Sequence, residues 1–202
     1  MGPTKARSLI AFHAFTGCDQ TSSFAGRGKK VAWTTWKVYD KITPAFFTLS
    51  SMPTEDILKE HMPTIERCVV LMYDRTSFCL TVNEAHKDLF TRKGQSIENI
   101  PPSYGALVEH TKRIAYQAGH CWGQSLTPEP ILPSPSKWGW TRSDNELWQP
   151  YWTMLPEASK AIEQLIKGGC KLTNGCRGHC KCLKADLKCT SLCSEDSIRR
   201  DV

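Results

Sequence analysis

The sequence predicts a mainly α fold: a helical domain, an irregular segment rich in proline and tryptophan, and a small C-terminal cysteine cluster held by zinc. Three observations carry this. Apolar residues recur at helical spacing in residues 103–119 (SYGALVEHTKRIAYQAG), where Leu107, Ile114 and Ala118 share a face with Thr111, while Lys112 and Arg113 lie elsewhere. Pro128, Pro130, Pro133, Pro135 and Pro150 exclude a long helix over residues 127–150. Six of the ten cysteines fall in the last 33 residues, which sets a boundary near Gly168-Gly169.

The totals fit a chain with a real core. At 202 residues, with 40% hydrophobic and 23% charged side chains, it resembles an average globular protein, and global disorder is not indicated. No apolar run reaches the roughly 18 to 20 residues of a membrane helix, and MGPTKARSLIAFHAF has too short an apolar stretch for a signal peptide. The expectation is an intracellular protein with no membrane partner. Of the net charge of +6, residues 1–40 carry +4, residues 41–169 carry −1 and residues 170–202 carry +3. Two basic ends suit an anionic partner, most economically a nucleic-acid backbone; solvated surface is the plain alternative.

From the N-terminus, the apolar segment Leu9 to Phe15 gives way to the turn Thr16-Gly17-Cys18-Asp19, which delivers one carboxylate. Gly26-Arg27-Gly28-Lys29-Lys30 then precedes a helix. Two glycines there leave backbone N–H groups bare for an anion, and Lys29 and Lys30 reinforce the attraction. A helix is expected from about Pro63 to Tyr73, on the spacing of Ile65, Val69, Leu71 and Met72. Another is expected over Thr81 to Lys93, with Asn83 as N-cap and Gly94 as stop. His86, His110 and His120 lack the paired spacing of a metal site, and Cys121 reads as a buried thiol beside a surface imidazole. Trp138, Trp140 and Trp148 either stack on bases or, more economically, pin the irregular segment to the helical body. Pro156 to Lys167 reads as a short helix stopped by Gly168.

In the tail, GGCKLTNGCRGHCKCLKADLKCTSLCSED, five, three, one, six and three residues separate successive cysteines. Closely spaced thiolates supply the tetrahedral ligands zinc takes at roughly 2.3 Å. Cys170, Cys176, Cys180, Cys182, Cys189 and Cys193 satisfy about two ions if two thiolates bridge, and His179 is a spare donor. Disulfides would need an oxidising compartment. Such a metal replaces the hydrophobic core that so short a tail cannot build. Lys171, Arg177, Lys181, Lys184 and Lys188 are interleaved with the ligands, where they suit phosphate contacts.

CRGHCKCLKADLKCTSLC resembles part of the CXC cysteine-rich domain of tesmin-like proteins and of related pre-SET and chromatin-targeting modules. That resemblance implies DNA contact through the basic residues and three zinc ions on nine cysteines, whereas here Cys193 is followed by SEDSIRRDV, which leaves ligands for about two. The Gly-Cys-Asp turn, followed seven residues after Asp19 by Gly-x-Gly-x-x-x-Ala, resembles the flap endonucleases and related PIN-like nucleases. It implies a helix-hairpin-helix element in which Gly26 and Gly28 grip a phosphate, and Asp19 as ligand of a catalytic Mg²⁺ or Mn²⁺. In that family most of the other carboxylates lie upstream of the turn, and the 18 residues before Asp19 contain no Asp or Glu. Asp19 alone cannot hold two metal ions. HAFTGCD, VLMYDRTS and ENIPP followed by a cysteine tail also resemble animal proteins derived from mobile elements.

The expected organisation is therefore residues 1–50 as a nuclease-like DNA-gripping piece, 51–169 as a helical body and 170–202 as a zinc tail. The expected function is nuclear DNA binding without catalysis. Two competitors stand beside it: an active nuclease in which Asp40, Asp56 or Asp74 joins Asp19, and a zinc knuckle that binds another protein.

Overall fold

The structure is a computed structural model that describes residues 2–91 and 99–153. They belong to the first of two compact units, Met1–Glu157 and Ala158–Val202. The helix expected over residues 156–167 and the whole cysteine tail lie outside the described residues.

The described residues are mainly helical, as expected. Seven α-helices occur among them: α1 Pro3–Arg7, α2 Leu9–Phe15, α3 Lys29–Val38, α4 Thr43–Leu49, α5 Glu55–Tyr73, α6 Val82–Thr91 and α7 Tyr104–Ile114. A π-helical segment, Ala115–Cys121, continues α7. The strands β1 (Trp140–Arg142) and β2 (Trp148–Pro150) pair antiparallel, with Thr141 opposite Gln149. None of the described helices is long and apolar enough to cross a membrane.

The core is aromatic where α2, α3 and α4 meet. Phe12 and Phe46 both lie 5.1 Å, centroid to centroid, from Trp36, and Phe15 lies 5.1 Å from Phe46. Trp36 is fully buried, so its indole N–H needs a partner, and it donates to Thr43 Oγ1 at 2.8 Å. Thr43 donates in turn to Asp40, whose other partner is Lys5 at 2.7 Å. Lys5 also lies over the Trp36 ring, 4.9 Å from its centroid, so one small network joins α1, α3 and α4. The hydrogen bond from Lys5, then that from Thr43, holds the Asp40 carboxyl below its ordinary range.

Several expectations need correction. Helix α5 does not begin at Pro63: it starts at Glu55, capped by Thr54, whose hydroxyl accepts from the Ile57 N–H, and runs through the proline. Leu58 and Met62 before Pro63, and Ile65, Val69 and Met72 after it, are buried, and this burial outweighs the lost backbone bond. The cap of α6 is not Asn83. Thr81 Oγ1 accepts from the Glu84 N–H, and the Glu84 carboxylate accepts from the N–H groups of Leu80 and Thr81, a reciprocal capping box. Asn83 instead accepts from the N–H of Tyr104, at the start of α7. On α7 the expected face of Leu107, Thr111 and Ile114 is buried, but Arg113 is buried with it. His120 is buried and Cys121 only half-buried, the reverse of the expected pair. Trp138 packs into the core 4.5 Å from the His120 ring, whereas Trp148 is exposed on β2.

Candidate functional site

The segment between α2 and α3 carries the sequence-predicted residues Asp19 and Gly26 to Lys30. Its start is fixed by a close approach. Gly17 has φ +99°, and a Cβ there would lie 2.7 Å from Ser23 Cβ, so only glycine lets the chain fold back on itself. Cys18 and Thr21 then exchange backbone hydrogen bonds across Asp19 and Gln20, while Thr21 Oγ1 donates to Ala14 O at 2.6 Å. Asp19 is thus an exposed turn aspartate.

At the other end of the segment, Gly28 is the N-cap of α3, extended and without a side-chain cap. The N–H groups of Val31 and Ala32 bond to Gly28 O. A Cβ on Gly28 would meet nothing within 4 Å, so the approach to the start of this ten-residue helix is open. Lys29 and Lys30 flank it and are exposed; Lys29 Nζ reaches back to Gly17 O at 2.7 Å. Arg27 is more constrained. Its guanidinium lies over the Tyr73 ring, 4.8 Å from the centroid, and donates to Gly26 O and Asn99 Oδ1.

Asp19, Lys29, His13 and Gln117 line a cavity of about 410 Å³. A hard divalent cation takes several oxygen ligands, and a two-metal site several carboxylates. Among the described residues no three His, Cys, Asp or Glu side chains converge as a metal site would require. Asp40 is held by Lys5 and Thr43, Asp56 pairs with Lys59 at 3.0 Å, and Asp74 accepts from the backbone and hydroxyl of Thr76. The described residues around Asp19 therefore do not fit a Mg²⁺ or Mn²⁺ pair. All six tail cysteines, together with Arg177, Lys181, Lys184 and Lys188, lie outside the described residues. Cys18, Cys68, Cys79 and Cys121 are free thiols, and burial pushes that of Cys68 up to about 12.

The histidines serve as ties to backbone carbonyls. His86 donates to Pro101 O, His110 to Phe15 O and His120 to Pro53 O. Since a carbonyl only accepts, His110 carries its proton on Nε2, and its Nδ1 accepts from Ser22 Oγ at 3.2 Å. A serine donating to a neutral imidazole looks like a nucleophile and its base. Burial, foremost, lowers the His110 pKa to about 4, however, which makes it a weak base at neutral pH.

Ser22 and His110 face a second cavity, of about 230 Å³, that the sequence reading did not foresee. Its walls include Tyr73, Arg113, Tyr151 and Trp152. Arg113 Nη1 donates to Gly139 O at 3.1 Å and to Tyr151 O at 3.4 Å, which fixes α7 to the open end of the hairpin, where these two residues flank the strands. Burial lowers the Arg113 pKa, and the nearby Glu109 opposes that shift. His110 and Arg113, three residues apart on α7, lie close on the helix surface, although the sequence reading set Arg113 apart from the apolar face; the two carbonyls that receive Arg113 come from residues 26 and 38 positions away and left no local signal.

No protein-family model matches the chain, and no match to it was found among curated proteins or solved structures.

Proposed function

We propose that this chain binds DNA, gripping the phosphate backbone with the segment Gly26 to Lys30 and with the basic residues of its zinc tail. The observation that carries the reading is the open, uncapped start of α3 with Lys29 and Lys30 exposed beside it. Free N–H groups at a helix start present partial positive charge to a phosphate oxygen, and lysines add full charges at the same place. The resemblance of Gly26-Arg27-Gly28 to the phosphate-gripping element of flap endonucleases supports the same use. On this reading Asp19 is a relic of a nuclease turn in a nuclear, mobile-element-derived protein, and this chain performs no hydrolysis.

The test is the salt dependence of binding to a fluorescent DNA duplex. Affinity is expected to fall steeply with salt, and Lys29→Glu with Lys30→Glu should weaken binding to all sequences alike and flatten the log–log salt slope by about two. Binding that is insensitive to salt, or untouched by the double change, would refute the reading. A flap substrate with Mg²⁺ in parallel tests hydrolysis: cleavage abolished by Asp19→Ala would establish the competing nuclease instead.

A further inference from the structure

The cavity that contains Ser22 and Arg113 is small, mixed in character and placed beside the proposed phosphate grip. At about 230 Å³ it falls below the roughly 300 to 1,000 Å³ of sites for drug-sized ligands, so it suits a single ring system. Its lining includes two exposed aromatic residues, Tyr151 at 43% and Trp152 at 72% relative exposure. Exposed rings in a cavity lining offer faces on which another flat ring can stack.

The polar groups of the cavity are directional. Nε2 of His110 gives its proton to Phe15 O, Nδ1 takes the proton of Ser22, and Ser22 Oγ is left with lone pairs. Arg113 has only donors; its bonds to Gly139 O and Tyr151 O both use Nη1, and Glu109, which also lines the cavity, is paired with Lys112 at 2.8 Å. The cavity therefore combines acceptor and donor functions, which is how the edge of a nucleobase is met.

Its position relative to the basic segment supplies the third observation. Ser22 to Ala25 form one wall, and the chain passes from Ala25 directly into Gly26-Arg27-Gly28-Lys29-Lys30. Tyr73, another wall residue, donates to Ala25 O at 3.4 Å and carries the Arg27 guanidinium on its ring. A strand whose phosphates lie along the basic segment would have the adjoining base at the cavity.

We propose that this cavity receives one unpaired nucleobase, stacked on Trp152 and Tyr151 with its polar edge toward Ser22 and Arg113. The inference rests on the DNA-binding reading and adds to it a preference for DNA that contains an unpaired nucleotide.

The experiment compares the full-length chain on a perfect duplex and on the same duplex with one bulged nucleotide, by fluorescence anisotropy at fixed salt. Wild type should favour the bulged duplex by at least about fivefold, the low end of what stacking one base on aromatic side chains supplies. Trp152→Ala and Tyr151→Ala should each reduce that preference with duplex affinity unchanged, and Trp152→Phe should restore part of it. Lys29→Glu with Lys30→Glu should instead weaken both complexes in parallel. Equal binding of the two DNAs by wild type, or a preference indifferent to Trp152 and Tyr151, overturns the cavity assignment while leaving the backbone grip intact. Salt-insensitive binding to both DNAs overturns the grip and the cavity together. Trp152 is largely exposed, so its replacement is expected to leave the fold intact, which an unchanged thermal melt would verify.

Discussion

At the scale of single residues, His110 shows how a polar group can be held in the interior and what that holding implies. Its ring is flanked by Phe15 and Phe24, its two nitrogens are used by Phe15 O and Ser22 Oγ, and burial lowers its pKa to about 4 from the ordinary 6.5. The unfolded chain then binds a proton that the folded chain rejects. The stability this histidine contributes is complete above about pH 6.5, falls as pH drops toward 4 and levels off below, with a span of about 3 kcal/mol. Urea unfolding of wild type and His110→Gln across pH 4 to 7.5 checks this. The glutamine variant is expected to lack that part of the slope, and parallel slopes would contradict it. The sequence showed His110 within an amphipathic helix, but neither its burial nor its two partners, 88 and 95 residues away.

At the scale of elements, the contrast between α5 and α6 marks what local signals can and cannot settle. Pro63 has no N–H and cannot donate to the carbonyl four residues back, so local chemistry argues for a helix that starts there. Thr54 with Glu55 and Asp56 is an equally local start signal, and tertiary burial on both sides of the proline decides in its favour. In α6 the capping box is legible as Thr81 and Glu84, three apart; asparagine also caps helices, but the carbonyl oxygen of Asn83 serves the next helix. These assignments give a measurable consequence. Pro63 is exposed, so Pro63→Ala restores a backbone bond without removing core packing and should stabilise the protein by about 1 to 2 kcal/mol. Denaturant melts read the shift, and a lowered midpoint would mean that α5 needs the proline. The helix start at Lys29 was itself readable from Gly26 and Gly28. What sequence could not supply was the open space beside Gly28, where among the described residues nothing lies within 4 Å of a Cβ placed there.

At the scale of the whole molecule, the helical unit and the proposed zinc tail call for different sources of stability. Unit Met1–Glu157 has a continuous core that runs from Phe12 and Trp36 through Ile65 and Val69 to Ile114 and Trp138, and its four cysteines are free thiols. The tail concentrates six cysteines where hydrophobic residues are scarce, and on the zinc proposal its folding energy would come from metal. Zinc removal should therefore separate the two. A full-length preparation is expected to release about two zinc ions per chain when its thiols are titrated, as six cysteines sharing two bridges require. Chelation should leave the cooperative melt of the helical unit in place, because the described core of that unit is built from its own apolar side chains. On the proposed reading it should also weaken DNA binding and reduce the salt slope, since zinc would order the frame that presents Arg177, Lys181, Lys184 and Lys188 to phosphates. Lys181→Glu with Lys184→Glu should imitate chelation in its effect on DNA and not in zinc content. If those reversals leave DNA affinity unchanged while zinc is fully bound, the tail is a knuckle for a protein partner, and the basic segment before α3 grips DNA alone.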